Sequence, residues 1–74
     1  MFIPTYDIFK GIYGAAGVKW VEGVEGLSAA SERMREFAAH SPGPYFIYDA
    51  SSHLIVASID TRQTMADRHN QSAT

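Results

Sequence analysis

The chain contains no cysteine. Disulfides and thiolate metal sites are excluded, and the composition agrees with a reducing compartment. It also lacks a basic opening: MFIPTYD carries no Lys or Arg, and Pro4 and Asp7 interrupt its apolar residues. A secretory leader needs a basic start followed by about seven to fifteen apolar residues. Nothing reaches the ~20 apolar residues of a membrane helix. These absences predict a cytoplasmic protein with no membrane contact. Positive charge is scarce too. Six basic and eight acidic side chains give a formal charge of −2. A phosphate-binding protein normally shows a basic face, so nucleic acid is not expected as a partner.

What the chain does have is an apolar fraction of 46% and an aromatic fraction of 12%, which argues against whole-chain disorder. Its 74 residues make one domain at most. A chain this short buries only roughly 60% of its unfolded surface, so its stability is marginal without help. The usual helpers are disulfides, a metal or oligomerisation. With cysteine absent, oligomerisation or a well-packed aromatic core remains.

Thr5 to Tyr13 is rich in β-branched and aromatic residues and reads as a strand. Tyr6, Ile8, Lys10 and Ile12 share one face; Asp7, Phe9, Gly11 and Tyr13 share the other. Gly14-Ala15-Ala16-Gly17 reads as a hairpin connection. Val18 to Val24 reads as a second strand, with Val18, Trp20, Glu22 and Val24 on one side. From Leu27, the apolar residues Leu27, Ala30, Met34, Phe37 and Ala38 form one stripe at helical period. Gly26 or Ser28 could cap that helix. His40 belongs in its last turn, before Ser41-Pro42-Gly43-Pro44 stops it. Tyr45 to Asp49 and Leu54 to Ile59 read as strands joined by the polar turn Ala50-Ser51-Ser52-His53. The domain is expected over 1–60, with 61–74 a polar C-terminal tail.

Two hairpins flanking one helix predict an α+β fold of ββαββ type, with the helix on one face of a mainly antiparallel sheet. The favoured strand order is 2-1-3-4; orders 1-2-4-3 and 1-2-3-4 are the alternatives. One helix of about 10 Å diameter covers a single face of four strands spaced about 4.8 Å apart. A wet second face should show alternating polar residues. Tyr45-Phe46-Ile47-Tyr48 and Leu54-Ile55-Val56-Ala57 do not alternate. Surplus apolar surface of this kind marks an interface. The candidate interface residues are Tyr45, Ile47, Tyr48, Leu54, Ile55 and Val56. The open sheet face, or the edge of the fourth strand, is expected to self-associate with a second copy in a symmetric homodimer; another protein is the alternative occupant, and fold-back of the N-terminus and tail over that face is the plain structural reading.

Chemistry-bearing patterns are weak. His40, His53 and His69 lack the i, i+4 spacing of a helical metal site, and three solvated histidines are the default. The run G-I-Y-G-A-A-G has neither the dinucleotide spacing nor a following helix, so a turn explains it better than a phosphate cradle. Glu22, Glu25, Asp49 and Asp60 show no reason to meet, and no serine sits in a nucleophile elbow. No catalytic, cofactor-binding or metal-binding residue is assigned, no cofactor is expected, and an enzyme is the least favoured class. Tyr6, Trp20, Tyr45, Phe46 and Tyr48 could stack bases, but the basic surround of such a surface is missing. Core or interface packing is the better use for them. A small-molecule site with an aromatic pocket at the dimer seam is the alternative to an interaction module.

W-V-E-G-V-E-G-L-S-A-A-S-E-R-M followed by S-P-G-P-Y-F-I-Y-D resembles a type of short bacterial ββαββ protein with no known activity. The matching positions are Trp20, Gly26, Leu27, Ala30, Pro42, Gly43, Tyr45 and Phe46, over roughly the middle half of the chain. The resemblance implies this fold and a bacterial origin, and no activity.

Overall fold

The computed structural model describes residues 3–61. Five elements follow in order: β1 (Thr5–Lys10), β2 (Lys19–Glu25), α1 (Leu27–His40), β3 (Pro44–Asp49) and β4 (Leu54–Asp60). The strands form one sheet in the order β2-β1-β3-β4, with every neighbouring pair antiparallel. This is the favoured ββαββ arrangement. The helix returns the chain so that β3 lands beside β1, and two hairpins supply the edges.

The core lies between α1 and one sheet face. Ile8 and Ile47, directly paired across β1 and β3, are fully buried there. Ala30, Met34 and Ala38 reach down from the helix, and Val21, Val24, Ala57 and Ile59 pack at the flanks. Each fully buried isoleucine contributes roughly 1.5–3 kcal/mol. The helical stripe is narrower than the sequence predicts: Leu27, the first residue of the helix, is exposed. That first turn follows Gly26 at φ 86°, which offers no side-chain cap. The Gly26 N–H is instead held by the Pro4 carbonyl at 2.9 Å.

The helix end is better secured. Tyr45 is buried, and its hydroxyl donates to the Ser41 carbonyl at 2.6 Å, with the Phe37 carbonyl at 3.2 Å. The Phe37 carbonyl also accepts from the N–H of the capping residue Ser41 at 2.8 Å, so the phenol ties the helix end to the sheet at that cap. Lys10 reaches Ser41 Oγ across the Tyr45 ring. At the other flank, Arg33 bonds Glu22 through two nitrogens at 2.8 and 3.2 Å, tying α1 to β2. It also pairs with Glu36 at 2.6 Å and lies over the Phe37 ring.

Two strand readings are corrected by the structure. β1 ends at Lys10 and not near Tyr13, because Gly11 turns at φ 131° while its N–H bonds the Pro44 carbonyl at 2.8 Å. Ile12 and Tyr13 thereby leave the strand for the β1–β2 connection. In β2, pairing slips at Val21, so that Phe9 faces Trp20 while Ile8 faces Glu22. One extra residue in a bulge moves the side chains on either side of it to opposite faces. Trp20 therefore parts from Glu22 and Val24. Next to the expected boundary, Thr61 Oγ1 accepts from the Gly43 N–H at 3.1 Å, and the Thr61 N–H donates back to the Gly43 carbonyl at 3.3 Å. The expected tail beyond it, with Met65 and His69, lies outside the described residues.

Candidate interaction surface

Directly paired residues on neighbouring strands share a sheet face. Trp20–Phe9, Phe9–Phe46, Phe46–Ser58, Gly23–Asp7, Asp7–Tyr48 and Tyr48–Ile55 are such pairs. They define the face opposite α1, and among the described residues no helix covers it. Aromatic rings dominate it. Phe9 and Phe46 stack at 5.1 Å with planes 12° apart. Tyr48 meets Phe9 edge-on at 6.4 Å. Tyr13, released from the strand at Gly11, folds back and meets Phe46 edge-on at 5.7 Å. Between Phe9 and Tyr13, Phe46 is left only 4% exposed.

Trp20 continues the cluster onto the edge strand while remaining 61% exposed. Its indole N–H donates to Asp7 Oδ1 at 3.2 Å, and its ring lies over the bare backbone of Gly23. At the far end, the Tyr48 hydroxyl meets His53 Nδ1 at 2.9 Å. His53 closes the β3–β4 turn at φ 60°, a left-handed conformation that non-glycine residues seldom take. The turn is held by Asp49, whose carboxylate accepts from the Ser51 N–H, Ser51 Oγ and Ser52 Oγ.

Those bonds hold the Asp49 carboxyl below its ordinary value, the Ser51 side chain contributing most and the Ser52 side chain next. The folded turn thus prefers the ionised form. Its contribution is present above the unfolded carboxylate value of ~3.9 and is lost as pH falls through the lower folded value. A carbon-13 NMR titration of Asp49 should therefore give a midpoint below that reference. In a Ser51→Ala, Ser52→Ala variant the midpoint should move back up. An unchanged midpoint would mean the serines do not hold the carboxylate in solution.

The candidate interface residues separate on this frame. Tyr48 and Ile55 lie on the open face. Leu54 and Val56 are exposed on the edge strand β4, at 60% and 37%. Tyr45 and Ile47 are core residues under α1, at 2% and 0%, and do not line the open face. The pleat sends alternate residues of the apolar run Tyr45 to Tyr48 to opposite sides. Sequence reasoning left Phe9, Tyr13 and Trp20 out of the set. Phe9 and Tyr13 already shared a face by parity, but the bulge that brings Trp20 to them leaves no such mark.

Two hollows border the aromatic cluster. One, of about 280 Å³, lies under the β1–β2 connection between Phe9, Phe46, Tyr48 and the segment Tyr13 to Ala15. The other is an open groove of about 610 Å³ at the β4 side, with Ile12, Tyr13, Ile55 and Ser58 on its walls. Among the described residues, the only carboxylate on either wall is Asp60, at the larger groove, where Tyr13 and Tyr45 also line it; no lysine, arginine or histidine lines either hollow. Glu22 is engaged by Arg33 and Asp49 by the turn serines. Among the described residues, no group of three His, Cys, Asp or Glu could hold a metal ion, and no helix is long and apolar enough to cross a membrane. Compared with known proteins, the chain matches no family model, no curated protein and no solved structure.

Proposed function

We propose that this chain is a small homodimeric protein-interaction module whose working surface, open to a further partner, is the aromatic face of its sheet. The observation that carries this reading is the contiguous cluster Phe9, Tyr13, Phe46 and Tyr48 on the face opposite the helix, with Trp20 exposed beside it. Aromatic side chains bury much area with few rotatable bonds, which suits them to interfaces. Self-association also answers the marginal core of so short a chain. Absolute molar mass by light scattering across a roughly hundredfold concentration range tests it, since association follows mass action. A dimer is expected. A monomer at every concentration overturns the homodimer.

A second reading has its own observation. The hollow of about 280 Å³ beside Phe9, Phe46 and Tyr48 approaches the lower size of small-molecule sites. It would take a small, flat, uncharged aromatic molecule. A monomer whose Gly14 and Ala15 amide resonances shift on titration with indole would favour this reading over the first.

A further inference from the structure

The sheet has two edges, and they differ. β2 carries Lys19, Glu22 and Glu25, the charges with which natural sheets discourage edge pairing. β4 reads Leu-Ile-Val-Ala-Ser-Ile-Asp, with no charge from Leu54 to Ile59. Both edges hold a bulge, at Val21 and at Val56, so the bulge does not distinguish them. Past its bulge, β4 pairs regularly with β3 from Ala57 to Asp60.

Backbone directions on β4 follow from two hydrogen bonds. Along an antiparallel strand, successive residues point their N–H and C=O to opposite sides. The Thr61 N–H bonds the Gly43 carbonyl, so Thr61, Ile59 and Ala57 face β3. Independently, the Pro44 carbonyl accepts from Gly11, which turns Pro44 toward β1 and leaves Tyr45 and Ile47 facing β4. Those two residues meet Ile59 and Ala57, in agreement. The N–H and C=O of Ser58 therefore point outward from the sheet edge.

We propose that the homodimer forms by antiparallel pairing of β4 with β4 of a second copy, about a two-fold axis at Ser58, giving one continuous eight-stranded sheet. This rests on the homodimer reading above and names its seam. At this register, Ser58 exchanges both backbone bonds with its own copy. Ala57 faces Ile59 of the second copy, and Val56 faces Asp60, so no like charges meet. An isologous seam requires such self-complementarity. Strand addition to an edge draws affinity from main-chain bonds and specificity from adjoining pockets. The groove of about 610 Å³ beside β4, with Ile12 at 58% and Tyr13 at 64% exposure, is such a pocket. An edge alone buries less than the ~800 Å² per partner of a standard interface, and Ile12 in the groove wall adds contact area. The pairing leaves Phe9, Tyr48 and Trp20 accessible and joins two copies of them on one side of the extended sheet.

Three variants test the seam, each by light scattering with circular dichroism as the folding control. Ser58→Pro removes only an outward N–H, a place where edge strands accept proline. Ser58→Lys leaves the backbone intact and sets two like charges against each other at the axis. Each should weaken dimerisation by about tenfold or more while the monomer stays folded. If the proline variant fails to fold, the lysine variant decides. Trp20→Ser should leave the dimer unchanged. A Ser58→Lys variant that dimerises like the unaltered chain overturns the β4 seam and leaves the homodimer standing. Loss of the dimer in Trp20→Ser alone would place the seam on the aromatic face. An unaltered chain that is always monomeric overturns both.

Discussion

Replacing Gly11 with alanine should lower the melting temperature by roughly 10–30 °C, about 4–8 °C for each of 2–4 kcal/mol lost. Two separate costs add. Gly11 sits at φ 131°, where L side chains rarely go. A Cβ there would also stand 3.0 Å from both Cα and Cγ2 of Val18. The first contact is backbone, so relief requires the β1–β2 connection to move. Moving it disturbs the Gly11 N–H bond to Pro44 that ends β1, and it lifts Tyr13 from Phe46. Gly14→Ala is the control. Gly14 has φ 86° but open space where its Cβ would lie, so it carries the conformational cost alone, about 1–2 kcal/mol. Thermal unfolding of the two variants separates the terms. Equal losses would mean that Gly11 is not pressed against Val18.

Ile47→Ala should cost about 2–5 kcal/mol, a large share of the ~4–11 kcal/mol that 0.05–0.15 kcal/mol per residue allows a domain of this length. Ile47 is fully buried between Ile8 on β1 and Ala57 on β4, beneath the helix. Each neighbour is fixed by the strand ladders, so the cavity left behind closes poorly. Urea unfolding is the measurement, with the midpoint falling and the slope unchanged. The loss should be the same at low and high protein concentration, because Ile47 is a core residue of one copy. A loss seen only where the protein associates would instead place Ile47 in the seam.

Much of this fold is legible in the residues. The period of Ala30, Met34, Phe37 and Ala38 calls for a helix against a sheet, and Pro42-Gly43-Pro44 ends it. The β-branched and aromatic runs call for two hairpins, and length alone limits a single helix to one sheet face. The candidate site was less legible. Tyr45 and Tyr48 look alike in sequence, yet one caps the helix from the core and the other lies on the open face. A run apolar at every position gives parity but no sign, so it cannot say which side the helix takes.

The sequence by itself determined the elements, their number and the surplus of apolar surface, because these follow from local propensity and side-chain period. Tertiary structure alone decided three further things. The bulge at Val21 turned Trp20 toward Phe9, since register depends on partner strands and one extra residue reverses a face. Gly11 ended β1 early by turning at φ 131° while its N–H stayed bonded to Pro44, roughly 110 Å of chain away by contour at about 3.3 Å per residue. The direction of Ser58 was set by pairing with β3. Each is a consequence of which strands lie side by side, and no local pattern encodes that.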